Sequence, residues 1–135
     1  MRLVIDTNVF VSSFFGGAPR QVVDHWFSGK LMLCVSRPIL KEYFDVLGRF
    51  EFDQAAFFGR LITALEKGPN ILFVDNPKEQ NWIVDDPEDN KFIACAISLH
   101  AEHLVSGDLH LKRAGKIGNV EIVSPRKMLS LIETE

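Results

Sequence analysis

The sequence predicts an α/β fold: three layers, α/β/α, around a central, mostly parallel sheet of five strands. Three observations carry this. Five short strand-like runs, RLVI (2–5), LMLCV (31–35), ILFV (71–74), HLVS (103–106) and VEIV (120–123), alternate with longer segments of helical period. LMLCV and ILFV are continuously apolar and RLVI is so beyond Arg2, as strands covered by helices on both faces are. The connections are long enough to hold crossover helices, and right-handed crossovers between parallel strands build a doubly wound sheet.

The elements follow in order. After the first strand comes a brief helical stretch, then the loop GGAP (16–19), with Pro19 suited to the first turn of a helix reaching about Ser28. The second strand leads to Ser36, a good N-cap, and Pro38 then sits in the first turn of a helix to about Leu47. Asp53 is expected to cap a helix to about Lys67, which Gly68-Pro69 stops. The third strand is followed by a polar segment, 75–88, with Pro77 and Pro87, which reads as loop. A helix over about 89–101 precedes the fourth strand, and a short helix follows GDLHL. Beyond the fifth strand, Ser124-Pro125 opens a C-terminal helix by the N-cap and first-position pattern.

With 135 residues the chain suits one domain, 1–135, without internal repeats. Hydrophobic residues make up 47% and charged residues 24%, which excludes wholesale disorder. No apolar run approaches the roughly 20 residues of a membrane span. Arg2 is followed by only three apolar residues before Asp6, so no secretory leader is expected. Cys34 and Cys95 lie in apolar contexts without metal-ligand spacing and read as two buried thiols of a cytoplasmic protein. A net charge of −3 argues against a strongly basic nucleic-acid binder. Setting aside five acids singled out below leaves 15 cations against 13 acids.

Those five are Asp6, Glu42, Asp86, Asp89 and Asp108. Asp6 directly follows the first strand and Asp108 closely follows the fourth, so both are expected at the carboxyl edge of the sheet, where doubly wound folds bind ligands. Taken singly, each could be a cap or turn former. Glu42 is the one charge in an apolar stripe, Ile39, Tyr43, Val46, Leu47 and Phe50, and an acid on that face wants a cation or a proton. Its ordinary alternative is a pairing with Arg49. Asp89 shares a helix face with Phe92, Ile93, Ala96 and Ile97, and Asp86 can reach the same place. Two like charges ~4 Å apart cost about 4 kcal/mol at an effective dielectric of 20. Hard divalent cations, Mg2+ or Mn2+, neutralise such a pocket and serve phosphodiester cleavage. Asn8 could bond the site or hold Asp6, and Thr7 is expected to cap the following helix. His110 is the nearest imidazole, and the four histidines show no zinc spacing with the cysteines.

IDTNVFVSS (5–13), the helical Glu42, DPEDNKFIACA (86–96) and LVSGDLHL (104–111) together resemble a PIN-domain nuclease. They are most similar to the toxin ribonucleases (VapC-like) of prokaryotic toxin–antitoxin pairs. The resemblance covers essentially the whole chain, and it implies a Mg2+- or Mn2+-dependent endoribonuclease acting on single-stranded RNA. The family's acidic positions fall on Asp6, Glu42, Asp89 and Asp108, with Ser106 at a hydroxyl position and Asn8 at a polar one. Many relatives carry a further acid where this chain has His110, and another where it has Asn90 or Ala94, so Asp86 can share or replace the role of Asp89.

Rival folds fit less well. A haloacid-dehalogenase-type phosphotransferase needs an acid at position 8, a response-regulator receiver needs paired acids after its first strand, and a dinucleotide-binding domain needs glycines there. The expectation is therefore a PIN-like nuclease with Asp6, Asp89 and Asp108 on the metal. Glu42 would complete the shell or act as a base. Lys41, Lys91, Lys112, Arg113 and Lys116 would hold a single strand of RNA. The alternative is the same fold kept as a catalytically weak or inactive module binding protein or RNA. The resemblance also implies an antitoxin partner. A homodimer is expected from family habit and from the phenylalanine pairs Phe14-Phe15 and Phe57-Phe58.

Overall fold

The computed structural model describes residues 1–49 and 55–134. Its chain order is β1 (Arg2–Ile5), α1 (Thr7–Ser13), α2 (Gly17–Phe27), β2 (Met32–Ser36), α3 (Arg37–Leu47), α4 (Ala55–Lys67) and β3 (Ile71–Val74). There follow a single 3-10 turn (Pro87–Asp89), α5 (Asn90–Ser98), β4 (His103–Val105), α6 (Leu109–Ala114), β5 (Lys116–Ile117), β6 (Val120–Val123) and α7 (Pro125–Glu133). The expected Asp53 cap and the stripe residue Phe50 lie outside the described residues.

Among the described residues the strands form one sheet in the order β3-β2-β1-β4-β6-β5. Every pairing is parallel except β5 with β6. The sheet therefore has six strands where five were expected. The addition is β5, two residues long, turned back along β6 through Gly118-Asn119. Gly118 has φ 58°, a left-handed conformation that glycine adopts without a Cβ penalty.

Central position explains the apolar runs. Leu3, Val4 and Ile5 of β1 and Leu104 and Val105 of β4 are fully buried, whereas edge strand β3 is only half-covered and exposes Phe73. Helix α5 packs across β1, β2, β4 and β6, and Phe92 to Ala96 are buried one after another, so this short helix is apolar on nearly every side. Phe10 of α1 packs edge-on against Trp26 of α2 and Tyr43 of α3. The Tyr43 hydroxyl donates to the Ile5 carbonyl, pinning α3 to the carboxyl end of β1. Ser36 and Ser124 cap α3 and α7 as their positions predict, accepting from the Ile39 and Lys127 N–H groups. Both cysteines are free and buried. Phe14 and Phe57 are spent inside the fold, stacked edge-on 4.9 Å apart, and Phe15 is the fully exposed member of the two phenylalanine pairs. No helix is long and apolar enough to cross a membrane among the described residues.

Candidate active site

Strand order reverses between β1 and β4: the chain lays β2 and β3 to one side of β1, and β4, β6 and β5 to the other. The carboxyl ends of these two neighbours flank the crevice where doubly wound sheets bind ligands. Asp6 and Ser106 come immediately after them. The Asp6 N–H donates to the Val105 carbonyl at 2.9 Å, and the Ser106 N–H donates to Val123 at 2.9 Å, so the sheet ladder itself fixes both residues.

The Ser106 hydroxyl then links the two loops. It donates to Asp6 Oδ2 at 2.8 Å and accepts from the Asp108 N–H at 2.9 Å. Asp108 occupies the N-cap of α6, where its Oδ1 accepts from the Leu111 N–H at 3.1 Å. Asp6 occupies the N-cap position of α1 without a side-chain cap bond. Its carboxyl is held above the usual range, by burial first and by the Glu42 and Asp108 charges, while the Ser106 hydroxyl and the Asn8 N–H oppose. The Asn8 side chain is exposed, without a described bond, so Asn8 holds Asp6 through its backbone N–H and not through its amide. Thr7 does not cap α1: it is the helix's first residue, and its hydroxyl donates to Glu42 Oε2.

The second half of the site comes from the 3-10 turn before α5. Pro87 sets up this turn, and the Asp89 N–H closes it on the Asp86 carbonyl at 3.1 Å. Ligand oxygens of Asp86, Asp89 and Asp108 lie within 4.8 Å of one another. Asp86 and Asp89, alternatives by sequence, are thus brought together. Asp89 is buried, and its Oδ2 has no hydrogen-bond partner. Burial pushes its carboxyl up to about 7, with Asp86, Asp6, Asp108 and Glu42 adding to the rise. An orphaned buried carboxylate oxygen facing two further acids fits a hard divalent cation, which needs several oxygen ligands.

Other expectations are corrected. Glu42 does not pair with Arg49; Lys91 donates to its Oε1 at 2.8 Å. Lys91 is itself 8% exposed, so it is no surface clamp for RNA. Its Glu88 partner three residues earlier was the signal available in the sequence. Lys41 is exposed and pairs with Asp45, while Lys112, Arg113 and Lys116 are exposed without an ion pair among the described residues. Arg126 and Lys127, which sequence reasoning passed over, are exposed in the first turn of α7, directly after the strand that receives the Ser106 N–H. His110 lies in the open, 3.7 Å from Asp85 and outside the acid trio. A cavity of about 450 Å³ opens beside the aspartate trio, none of which lines it, between Pro38, Glu42 and Arg49 on one wall and Pro87, Glu88 and Lys91 on the other.

Asn90 explains one departure from the expected acids. Its buried amide brackets Ile83, accepting from the N–H at 2.8 Å and donating to the carbonyl at 3.4 Å. A carboxylate there could accept but not donate, and would face the Ile83 carbonyl. Asn90→Asp is expected to lower stability by roughly 1–3 kcal/mol. Urea denaturation at neutral pH checks it, and an unchanged midpoint would show that the bracket contributes nothing.

The sequence profile of the family described as PIN domain matches residues 2–110. No curated protein sequence matches the chain. The fold is similar to that of VapBC2 from Rickettsia felis, in a crystal structure bound to a DNA fragment from their promoter. That match has TM-score 0.56 and 13% identity over 90% of this chain and 97% of that one. It is also similar to PAE2754 from Pyrobaculum aerophilum, with TM-score 0.57 and 13% identity over 99% of this chain and 90% of that one. At such identity the likeness is one of fold.

Proposed function

This chain belongs to the PIN-domain family, and from that premise we propose that it is a Mg2+- or Mn2+-dependent endoribonuclease cleaving single-stranded RNA. The observation that carries the reading is the orphaned Asp89 oxygen within a converging acid trio at the switch point of the sheet. In this reading Asp89 and Asp108 hold the cation, Asp86 joins them, and Asp6 completes the set.

Bound there, a divalent cation polarises the phosphate and lowers the pKa of its water. The chain's own part is to hold and orient. Ser106 locks Asp6 and the Asp108 backbone into one register, so the loops after β1 and β4 cannot drift apart. Glu42, fixed through both oxygens, presents a stationary carboxylate that orients water near the scissile bond. Lys112 and Arg113 on α6, Lys116 beyond it, and Arg126 and Lys127 on α7 offer cations to the RNA backbone. Those on α6 and α7 belong to elements that start at the carboxyl edge. On the other flank, Lys41 is already engaged with Asp45.

The motif resemblance supports a cytoplasmic toxin of a toxin–antitoxin pair, with a cognate antitoxin and a second copy of the chain as partners. The test is degradation of a labelled single-stranded RNA. Cleavage in Mg2+ or Mn2+ that stops on chelation is expected. Replacing Lys112, Arg113 and Lys127 together by Ala should weaken RNA binding severalfold and flatten its salt dependence. RNA bound but uncut at saturating Mn2+ would overturn the nuclease reading in favour of a binding module.

A further inference from the structure

Five carboxylates meet at this site, and among the described residues the cation that enters it is Lys91. Its Nζ donates to Glu42 Oε1 at 2.8 Å, to the Glu88 carbonyl at 2.8 Å and to Glu88 Oε2 at 3.1 Å. An ammonium has three hydrogens, so none is left for an RNA phosphate. Glu42 is equally committed: Oε1 to Lys91, Oε2 to the Thr7 hydroxyl. One carboxylate, projecting from α3, is thus tied to α1 through Thr7 and to α5 through Lys91, which Glu88 of the turn before α5 holds in its turn. By contrast, Asp86, Asp89 and Asp108 carry no cation partner among the described residues, and one Asp89 oxygen has no partner at all.

We infer that Lys91 is a positioning residue and internal counter-ion, which fixes Glu42 and keeps it out of the metal's ligand set. The inference rests on the metal-site reading of the acid trio. It follows that the Glu42–Lys91 pair is electrically neutral toward the metal, and that removing either member alone changes the charge seen by the metal by one. Removing both at nearly constant shape changes it by none.

Mn2+ titration calorimetry on the wild type, Lys91→Met, Glu42→Gln and the double variant tests this without any turnover. Through the near-water dielectric of an open site, a unit charge several ångströms from a divalent cation is worth roughly tenfold in affinity. Lys91→Met should therefore bind Mn2+ roughly tenfold more tightly and Glu42→Gln roughly tenfold more weakly. The double variant should return to within about twofold of the wild type. In RNA cleavage, Lys91→Met should lower kcat and leave KM for RNA unchanged, which a backbone clamp would not do. If Lys91→Met does not fold, the double variant, in which only the exposed Glu88 carboxylate loses its cation, still carries the test. A double variant as weak as Glu42→Gln would make Glu42 a ligand and overturn the inference, as would a Lys91→Met protein of unaltered affinity. Wild-type protein that binds no Mn2+ at all would overturn the metal-site reading and this inference together.

Discussion

Asp108→Asn is expected to fold as the wild type does and to lose nearly all nuclease activity. The two halves of this expectation come from different atoms of one side chain. Oδ1 caps α6 by accepting from the Leu111 N–H. Asparagine retains an acceptor oxygen there and is as good an N-cap as aspartate. The backbone of residue 108 is held independently, by the Ser106 hydroxyl. What the variant loses is the negative charge and oxygen donor within the trio formed with Asp86 and Asp89. Removing one preorganised electrostatic partner of this kind lowers kcat by about 10²–10³, or about 3–4 kcal/mol of transition-state stabilisation. Asp108→Ala would give a less clean result, because losing the cap costs a further 0.5–2 kcal/mol, roughly, of stability. Initial rates on a labelled single-stranded RNA at saturating Mn2+, paired with a thermal melt, measure both halves. An Asp108→Asn protein that cleaves at the wild-type rate after repurification would remove Asp108 from the site.

The strands that position this site were legible because central parallel strands are covered on both faces and their buried positions, such as Leu3 to Ile5 and Leu104-Val105, must be apolar. The same rule left β5 unread: Lys116-Ile117 has no apolar run, and its only signal is the Gly-Asn pair that turns it back along β6. Strand-end acids were legible for a geometric reason too, since a residue that directly follows a parallel strand must project at the carboxyl edge. The sequence could not show which strands are neighbours. The adjacency of β1 and β4 alone brings Ser106 to Asp6, a hundred residues away in the chain.

Partners of the acids were less legible. Lys91 reads as a surface cation because most lysines are, and its burial depends on where α3 delivers Glu42, a contact spanning 49 residues. Thr7 was expected to cap its own helix, which is the usual local use of a hydroxyl. Instead α3 lies close enough to supply a carboxylate acceptor, and the longer-range bond wins. Asn90 stands at one of the two positions, with Ala94, where many relatives carry an acid, and its amide is used for the one thing an ionised carboxylate cannot do, which is to donate and accept at the same peptide.

In the absence of metal, the protein is expected to become less stable as pH rises from about 5 to about 7, opposite to the usual behaviour of paired carboxylates. Asp89 is the cause. Burial pushes its carboxyl up to about 7 in the folded chain, against an ordinary carboxylate value of 3.8. Between those limits the folded protein keeps a proton that the unfolded chain has already released. Raising the pH therefore draws the equilibrium toward the unfolded state, and the destabilisation is complete once pH passes the folded value. The rise is worth at most about 4 kcal/mol, of which on the order of 2–3 kcal/mol falls between pH 5 and 7. Asp6 contributes with the same sign, since burial raises its carboxyl as well. Asp89→Asn removes the titration at nearly constant shape. Its stability should change far less across this window and exceed that of the wild type at pH 8 by a few kcal/mol. Metal narrows the gap: at ten times its dissociation constant, a bound cation adds about 1.4 kcal/mol to the wild type, and the variant gains much less. If Asp89 served only the dipole of α5 from its N-cap position, the opposite would hold, and the variant would be the less stable protein at every neutral pH. Urea denaturation of both proteins at pH 5, 6, 7 and 8, in chelator and again in Mn2+, separates the two. A wild-type curve parallel to that of Asp89→Asn from pH 5 to 8 in chelator would mean that Asp89 is ionised at no cost and that its orphaned oxygen is not waiting for a cation.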